Sequence, residues 1–143
     1  MKIDDIIKRS TAHFKLEGLS PRDFIPLTNR LRQAGYNESD VFDRLGVNDI
    51  EGVMARALPV FLRIKLRENT HLDRLIRLFL LSRRVHRDEL AEIFENTEIE
   101  FYKKIGLFDE DEQGIFSPVD LFPCQGGFFA TDHFFTMKVL PKH

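Results

Sequence analysis

Few side chains here are equipped for covalent or metal chemistry. There is one cysteine, Cys124, and five histidines, His13, His71, His86, His133 and His143. Cys124, His133 and Asp120 are the residue types of a thiol nucleophile, its base and an orienting carboxylate. Their spacing does not separate that set from chance. Asp132-His133 reads as a dyad, but neighbours on a strand point to opposite faces. The histidines have no metal-ligand spacing among themselves, and Cys124 has no second cysteine to form a zinc pair or a disulfide. Gly126-Gly127 is too short for a phosphate loop and opens no helix. The chain alone is therefore read as non-catalytic, with no catalytic, metal or cofactor-binding residue assigned.

Charge offers a second kind of chemistry. Arg63, Lys65, Arg67, Arg74, Arg77, Arg83, Arg84 and Arg87 form a basic run. One reading makes it the solvated face of amphipathic helices, paired with Glu68, Asp73, Asp88 and Glu89. The other makes it a substrate surface for RNA or an acidic protein. A third feature is aromatic: of 143 residues, 14 are Phe and none is Trp, and Phe128, Phe129, Phe134 and Phe135 cluster near the end of the sequence. That cluster is either a last core strand or a docking surface for another domain.

The elements that must position these groups follow from periodicity and caps. Ile3, Ile6, Ile7 and Phe14 suit one face of a short helix ending near Gly18. Ser20-Pro21 is a cap with proline at the first helical position. Phe24, Leu27, Leu31 and Ala34 continue at helical spacing to Gly35, with a kink expected at Pro26. Asn37 caps a second helix carrying Val41, Phe42 and Leu45, which Gly46 ends. Asp49 opens another helical pattern, interrupted at Pro59. Thr70 and Asp73 bracket the start of the strongest apolar stretch, Leu72 to Leu81, with Arg74 and Arg77 expected opposite the core. Arg87–Phe94, with Leu90, Ala91 and Phe94 expected to face inward, and Glu98–Ile105, capped by Asn96-Thr97, complete a tri-helical core.

From there the period changes to two. Leu107-Phe108, an acidic turn from Asp109 to Gly114, and Ile115-Phe116 predict a hairpin wing. Val119 and Leu121 alternate with Asp120, Gly126-Gly127 predicts a turn, and Phe128–Thr131 a final strand. The expected fold class is mainly α with a small β-hairpin or sheet. A helical subdomain over 1–69 precedes a winged-helix-like subdomain over 70–143, the two forming one unit.

A winged helix first suggests DNA, and the charges oppose that. The third helix offers Glu98, Glu100, Lys103 and Lys104, with no net attraction to phosphate. The wing tip carries four consecutive carboxylates, Asp109 to Glu112. These meet a backbone bearing one negative charge per ~1.7 Å of duplex. The 21 basic and 23 acidic residues, net charge −2, also argue against a chain devoted to nucleic acid. The opening MKIDDIIKRS lacks a signal-peptide core and no apolar run suits a bilayer, so a cytoplasmic protein without membrane contact is expected.

Several segments together resemble the N-terminal auxiliary domain of certain bacterial class I S-adenosylmethionine-dependent methyltransferases, relatives of the release-factor glutamine N5- and small-domain ribosomal RNA methyltransferases. Leu31-Arg32-Gln33-Ala34-Gly35-Tyr36 with Val41…Arg44-Leu45-Gly46 resembles that family's opening helix pair. Leu72 to Leu81 is similar to its central helix. Val119-Asp120-Leu121-Phe122-Pro123 followed by Phe129-Ala130-Thr131-Asp132 looks like the strand pair leading into the catalytic domain. The resemblance runs from about Leu19 to Asp132. The glycine-rich cofactor loop and the Asn-Pro-Pro-Tyr type motif are absent, so no catalytic residue is carried over.

The resemblance implies a substrate-recognition or scaffolding module whose S-adenosylmethionine-binding catalytic domain lies beyond residue 143. The arginine run would then face an RNA or protein substrate, and the phenylalanine cluster would dock on the catalytic domain. Two alternatives from other classes stand beside it: a stand-alone winged-helix DNA-binding regulator and a protein-interaction adaptor.

Overall fold

The chain is described here by a computed structural model over residues 18–48, 68–124 and 126–131. Its first element is a 3-10 turn, Pro21–Phe24, opened by Ser20, whose N–H donates to Asp23 Oδ2 at 2.8 Å. Proline at the second helical position then suits the start of α1, Ile25–Gln33. The expected kink at Pro26 thus takes the form of a 3-10 turn passing into an α-helix. Helix α2, Glu38–Leu45, begins where Asn37 Oδ1 accepts the Asp40 N–H at 2.8 Å. It ends at Gly46, whose φ of 71° is the left-handed conformation that glycine adopts without strain. The helical pattern from Asp49 to Leu66 and that of Ile3 to Phe14 lie outside the described residues.

Helix α3, His71–Phe79, is held at its start by reciprocal bonds. Thr70 Oγ1 accepts the Asp73 N–H, and Asp73 Oδ2 accepts the Thr70 N–H. It stops two residues short of the expected Leu81, because Ser82 turns into the left-handed region with φ 51°. Leu80 and Leu81 stay buried all the same. One expectation fails here: Arg74 is buried, not opposite the core. The apolar arc of α3 is wide enough that neighbours cover it on more than one side, and Arg74 is enclosed with its partners.

Val85 follows in extended form, then the single-turn helix α4, Arg87–Leu90, and α5, Asn96–Lys104. The helix expected to reach Phe94 yields at Leu90 to tighter turns, in which Ile93 and Phe94 both bond the Leu90 carbonyl at 2.9 Å. Ile93 and Phe94 nonetheless reach the core. The α5 cap is Glu95, one residue earlier than expected.

The strands form two antiparallel pairs. β1, Asp109–Asp111, pairs with β2, Gly114–Phe116, around a two-residue loop, Glu112-Gln113. Of the acidic residues expected in the turn, Asp109, Glu110 and Asp111 therefore form the outgoing strand and Glu112 stays in the loop. Val85 joins β2 through an isolated bridge, its N–H and C=O both bonded to Ile115 at 2.8 Å. β3, Asp120–Cys124, pairs with β4, Gly127–Thr131, with Phe122 opposite Phe129.

One hydrophobic cluster joins both halves, from Phe24, Leu31 and Tyr36 through Leu75 and Phe79 to Phe108, Leu121 and Phe128. Phe94, Tyr102 and Phe108 meet edge to face with centroids 5.5–5.7 Å apart. Each such side chain contributes roughly 1.5–3 kcal/mol on burial, more than any surface ion pair described below. The fold is mainly α, with two small β-hairpins among the described residues. No described helix is long and apolar enough to cross a membrane.

Candidate functional site

The basic run divides into three parts once placed. Arg63, Lys65 and Arg67 lie outside the described residues. Arg74 and Arg77 turn inward at the α3–α4 contact. Arg74 Nη1 donates to the Glu89 carbonyl at 2.9 Å and lies 3.1 Å from Glu92 Oε1. Asn69, at φ 59°, gathers this cluster: its carbonyl oxygen accepts from Arg74 and Arg77, and its amide donates to Glu89 at 2.6 Å. Burial raises the Glu89 carboxyl, but bonds from Asn69 and the His86 amide and the charges of Arg74 and Arg77 outweigh it and hold it below the usual range. Arg77 Nε is buried with no hydrogen-bond partner. Arg74 fastens α3 to α4, and Arg77 bonds Asn69 just before α3.

Arg84 and Arg87 face outward and meet the β1–β2 hairpin. Arg84 Nε lies 2.8 and 3.0 Å from the two carboxylate oxygens of Asp111, and its guanidinium sits 4.6 Å from the Phe116 ring centroid. Arg87 reaches Glu110 at 2.8 Å, and Glu100 of α5 and Asn96 at 2.5 Å each. Lys103 completes the network, 2.9 Å from Glu110 and 3.7 Å from Glu100. Hydrogen bonds from Arg84 and Arg87 hold the Asp111 and Glu100 carboxyls below the usual carboxylate range. Arg83 is exposed and bonds α3 only through its backbone.

This arrangement was hidden from sequence reasoning because its partners come from three elements. The expected partner Asp73 is instead held by Arg44, at 2.6 and 3.0 Å. The N-terminal end of α5 is also bridged: Arg30 of α1 lies 3.2 Å from Glu98 and 3.5 Å from Glu95. Nothing in the spacing of Arg30 signals that contact, 68 residues away along the chain.

Of the phenylalanine cluster, Phe128 is buried and stacked on Tyr36, centroids 6.2 Å apart and rings 8° from parallel. Phe129 occupies β4 opposite Phe122. Phe134 and Phe135 lie outside the described residues. Asp120 and Cys124 stand at opposite ends of β3, about 13 Å apart at the usual rise. His133 lies outside the described residues.

A cleft of about 280 Å³ opens between the α1–α2 turn and the β3–β4 turn, lined by Arg32, Glu38, Cys124 and Gly126 among others. Gly126 sits in the turn and Gly127 begins β4, paired with Cys124; the turn opens no helix, so it presents no row of helix N–H groups to an anion. Among the described residues no three His, Cys, Asp or Glu side chains are grouped to hold a metal ion.

Compared with known proteins, residues 33–117, more than half of the chain, match the model of a family described as a domain of unknown function, DUF7059. That span runs from the end of α1 through β2 and contains the whole ion-pair network of the β1–β2 hairpin. No curated protein and no solved structure matches the chain.

Proposed function

The chain belongs to the DUF7059 family, a domain of unknown function, and we propose that it serves as the substrate-recognition and scaffolding module of an S-adenosylmethionine-dependent methyltransferase. The observation that carries the reading is the element order. Helix α3, the Val85 bridge strand, α4, α5 and the hairpin β1–β2 follow one another as in a winged helix, with Val85 paired to the returning wing strand. A winged helix is a recognition architecture, and the described residues offer no catalytic constellation. In this reading a separate catalytic domain holds S-adenosylmethionine and supplies the electrophilic methyl group. The present chain binds and orients a macromolecular acceptor, so that binding energy collected away from the reacting atoms lowers the entropic barrier to transfer.

Duplex DNA fits this surface poorly. The end of α5 that would read base edges in a major groove is bridged to α1 through Arg30, and the wing carboxylates occupy the nearby cations. Cytoplasmic RNA or protein acceptors suit it better.

The test is the intact mass of the product in its source cell, followed by methyl transfer from labelled S-adenosylmethionine. The expected product is larger by a catalytic domain, about 100–200 residues, and loses transfer to its macromolecular acceptor when residues 1–131 are deleted. A product of 143 residues, or acceptor methylation unchanged by the deletion, overturns the reading.

A further inference from the structure

We infer that the acidic hairpin β1–β2 is a built-in competitor for a single-stranded RNA backbone. Glu110 and Asp111 occupy the cationic groups of Arg84, Arg87 and Lys103 that phosphates would otherwise take. The inference rests on the recognition-module reading and names its substrate class. The geometry suits exchange. A guanidinium presents the same planar fork to carboxylate and to phosphate, and Arg84 holds Asp111 through that fork. The paired side chains of Arg84, Arg87, Lys103, Glu110 and Asp111 are 25–40% exposed. Pairs of that class contribute little net stability in water, so a phosphate replaces the carboxylate without burying or stranding a charge.

Exchange also leaves the wing in place. The hairpin is held by backbone bonds and by the Val85–Ile115 bridge; Glu110 and Asp111 rotate away, Asp111 giving up the Gln113 N–H, while Glu100 keeps its bond to the other Arg87 nitrogen. Arg83 and Lys104, next in sequence to Arg84 and Lys103, are exposed. Phe116 lies beneath Arg84, and an aromatic ring beside a basic track is how unpaired bases are stacked. The Arg30 bridges at the start of α5 disfavour a duplex and favour a single strand.

The probe is a fluorescein-labelled oligouridylate, titrated by anisotropy against the full chain at low salt. Glu110→Gln with Asp111→Asn should tighten binding about tenfold, equivalent to about 1.4 kcal/mol, and steepen its salt dependence. Adding Arg84→Gln and Arg87→Gln should erase the gain. Asp43→Asn with Glu112→Gln removes the same charge from exposed positions with no ion pair among the described residues, and should gain much less. No gain at the wing, an equal gain in that control, or an equal gain for duplex DNA overturns the inference. If the double wing variant melts below the assay temperature, Asp111→Asn alone carries the test with a gain of about threefold. The cellular mass bears on the methyltransferase reading and the titration on the wing, so each can fail visibly without the other.

Discussion

Replacing Tyr36 by Phe removes one oxygen from the centre of the fold. Tyr36 is fully buried and its hydroxyl donates to the Leu121 carbonyl, which ties the α1–α2 turn to β3. The ring is retained in the variant, so the contacts to Phe79, centroids 5.9 Å apart, and to Phe128 survive. What is lost is the partner of a buried carbonyl, a loss of about 1–3 kcal/mol. For a chain of this size that lowers the melting temperature by roughly 2–10 °C. Tyr36→Ala also empties the ring's space and should lose about 3–5 kcal/mol or more.

The assay is urea unfolding followed by circular dichroism, in which the midpoint should fall while the slope stays constant. A pH arm adds an independent sign. Burial, with the nearby Asp120 charge, pushes the Tyr36 phenol well above its ordinary value. A group whose folded pKa is raised contributes stability that is complete below its unfolded value, near 10, and is lost as pH rises beyond it. The wild type should therefore lose more stability than Tyr36→Phe above about pH 10. A midpoint unchanged in Tyr36→Phe, with parallel alkaline profiles, would refute the view that this hydroxyl completes the core.

Three further outcomes follow from the same geometry. Gly114 has φ 139°, and a Cβ there would stand 2.7 Å from the Val85 carbonyl oxygen; Gly114→Ala should break the bridge, read as faster hydrogen exchange at the Val85 and Ile115 amides. Asp73→Asn weakens the doubly bonded Arg44 contact and the α3 cap at once, and should lose about 2–3 kcal/mol in urea unfolding, since Arg44 is near enough to the surface to rehydrate. The Asp111 and Glu100 carboxyls are held low, so their contribution is present above the ordinary carboxylate values and lost as pH falls through the lowered ones. The acid-side decline in melting temperature should accordingly be shallower in Asp111→Asn than in the wild type.

Sequence reasoning succeeded where structure is decided locally. Asn37, Thr70 and Gly46 act within one turn of themselves, and the spacing of Leu27, Leu31, Val41 and Leu45 marked faces that are buried. The turn was legible at Gly126, although Gly127, expected in it, begins β4, and the strands were legible from their alternation. The failures share one cause. Arg74 and Arg77 read as solvated because helical periodicity shows which residues are polar, not whether a second element comes to meet them. The shortness of α4 was masked because Leu90, Ala91 and Phe94 read as one inward helical face; Ala91 is exposed, and Leu90, Ile93 and Phe94 fill the core from tighter turns. The wing network was unreadable for a like reason. Lys103 and Glu110 are 7 residues apart and Arg84 and Asp111 are 27 apart, and only the folded hairpin brings them to one place.

The Val85–Ile115 bridge has an architectural consequence. Since these two residues exchange both backbone bonds, the segment between them leaves and re-enters the structure at one point. It is a cassette carrying α4, α5 and the hairpin, with adjacent ends. A stretch whose ends coincide can be replaced as a block, and its outer tip at Glu112-Gln113 is where new termini or inserted residues disturb least. Diversity of recognition could therefore accumulate within this cassette while α1, α2, α3 and the β3–β4 hairpin keep the same supporting frame.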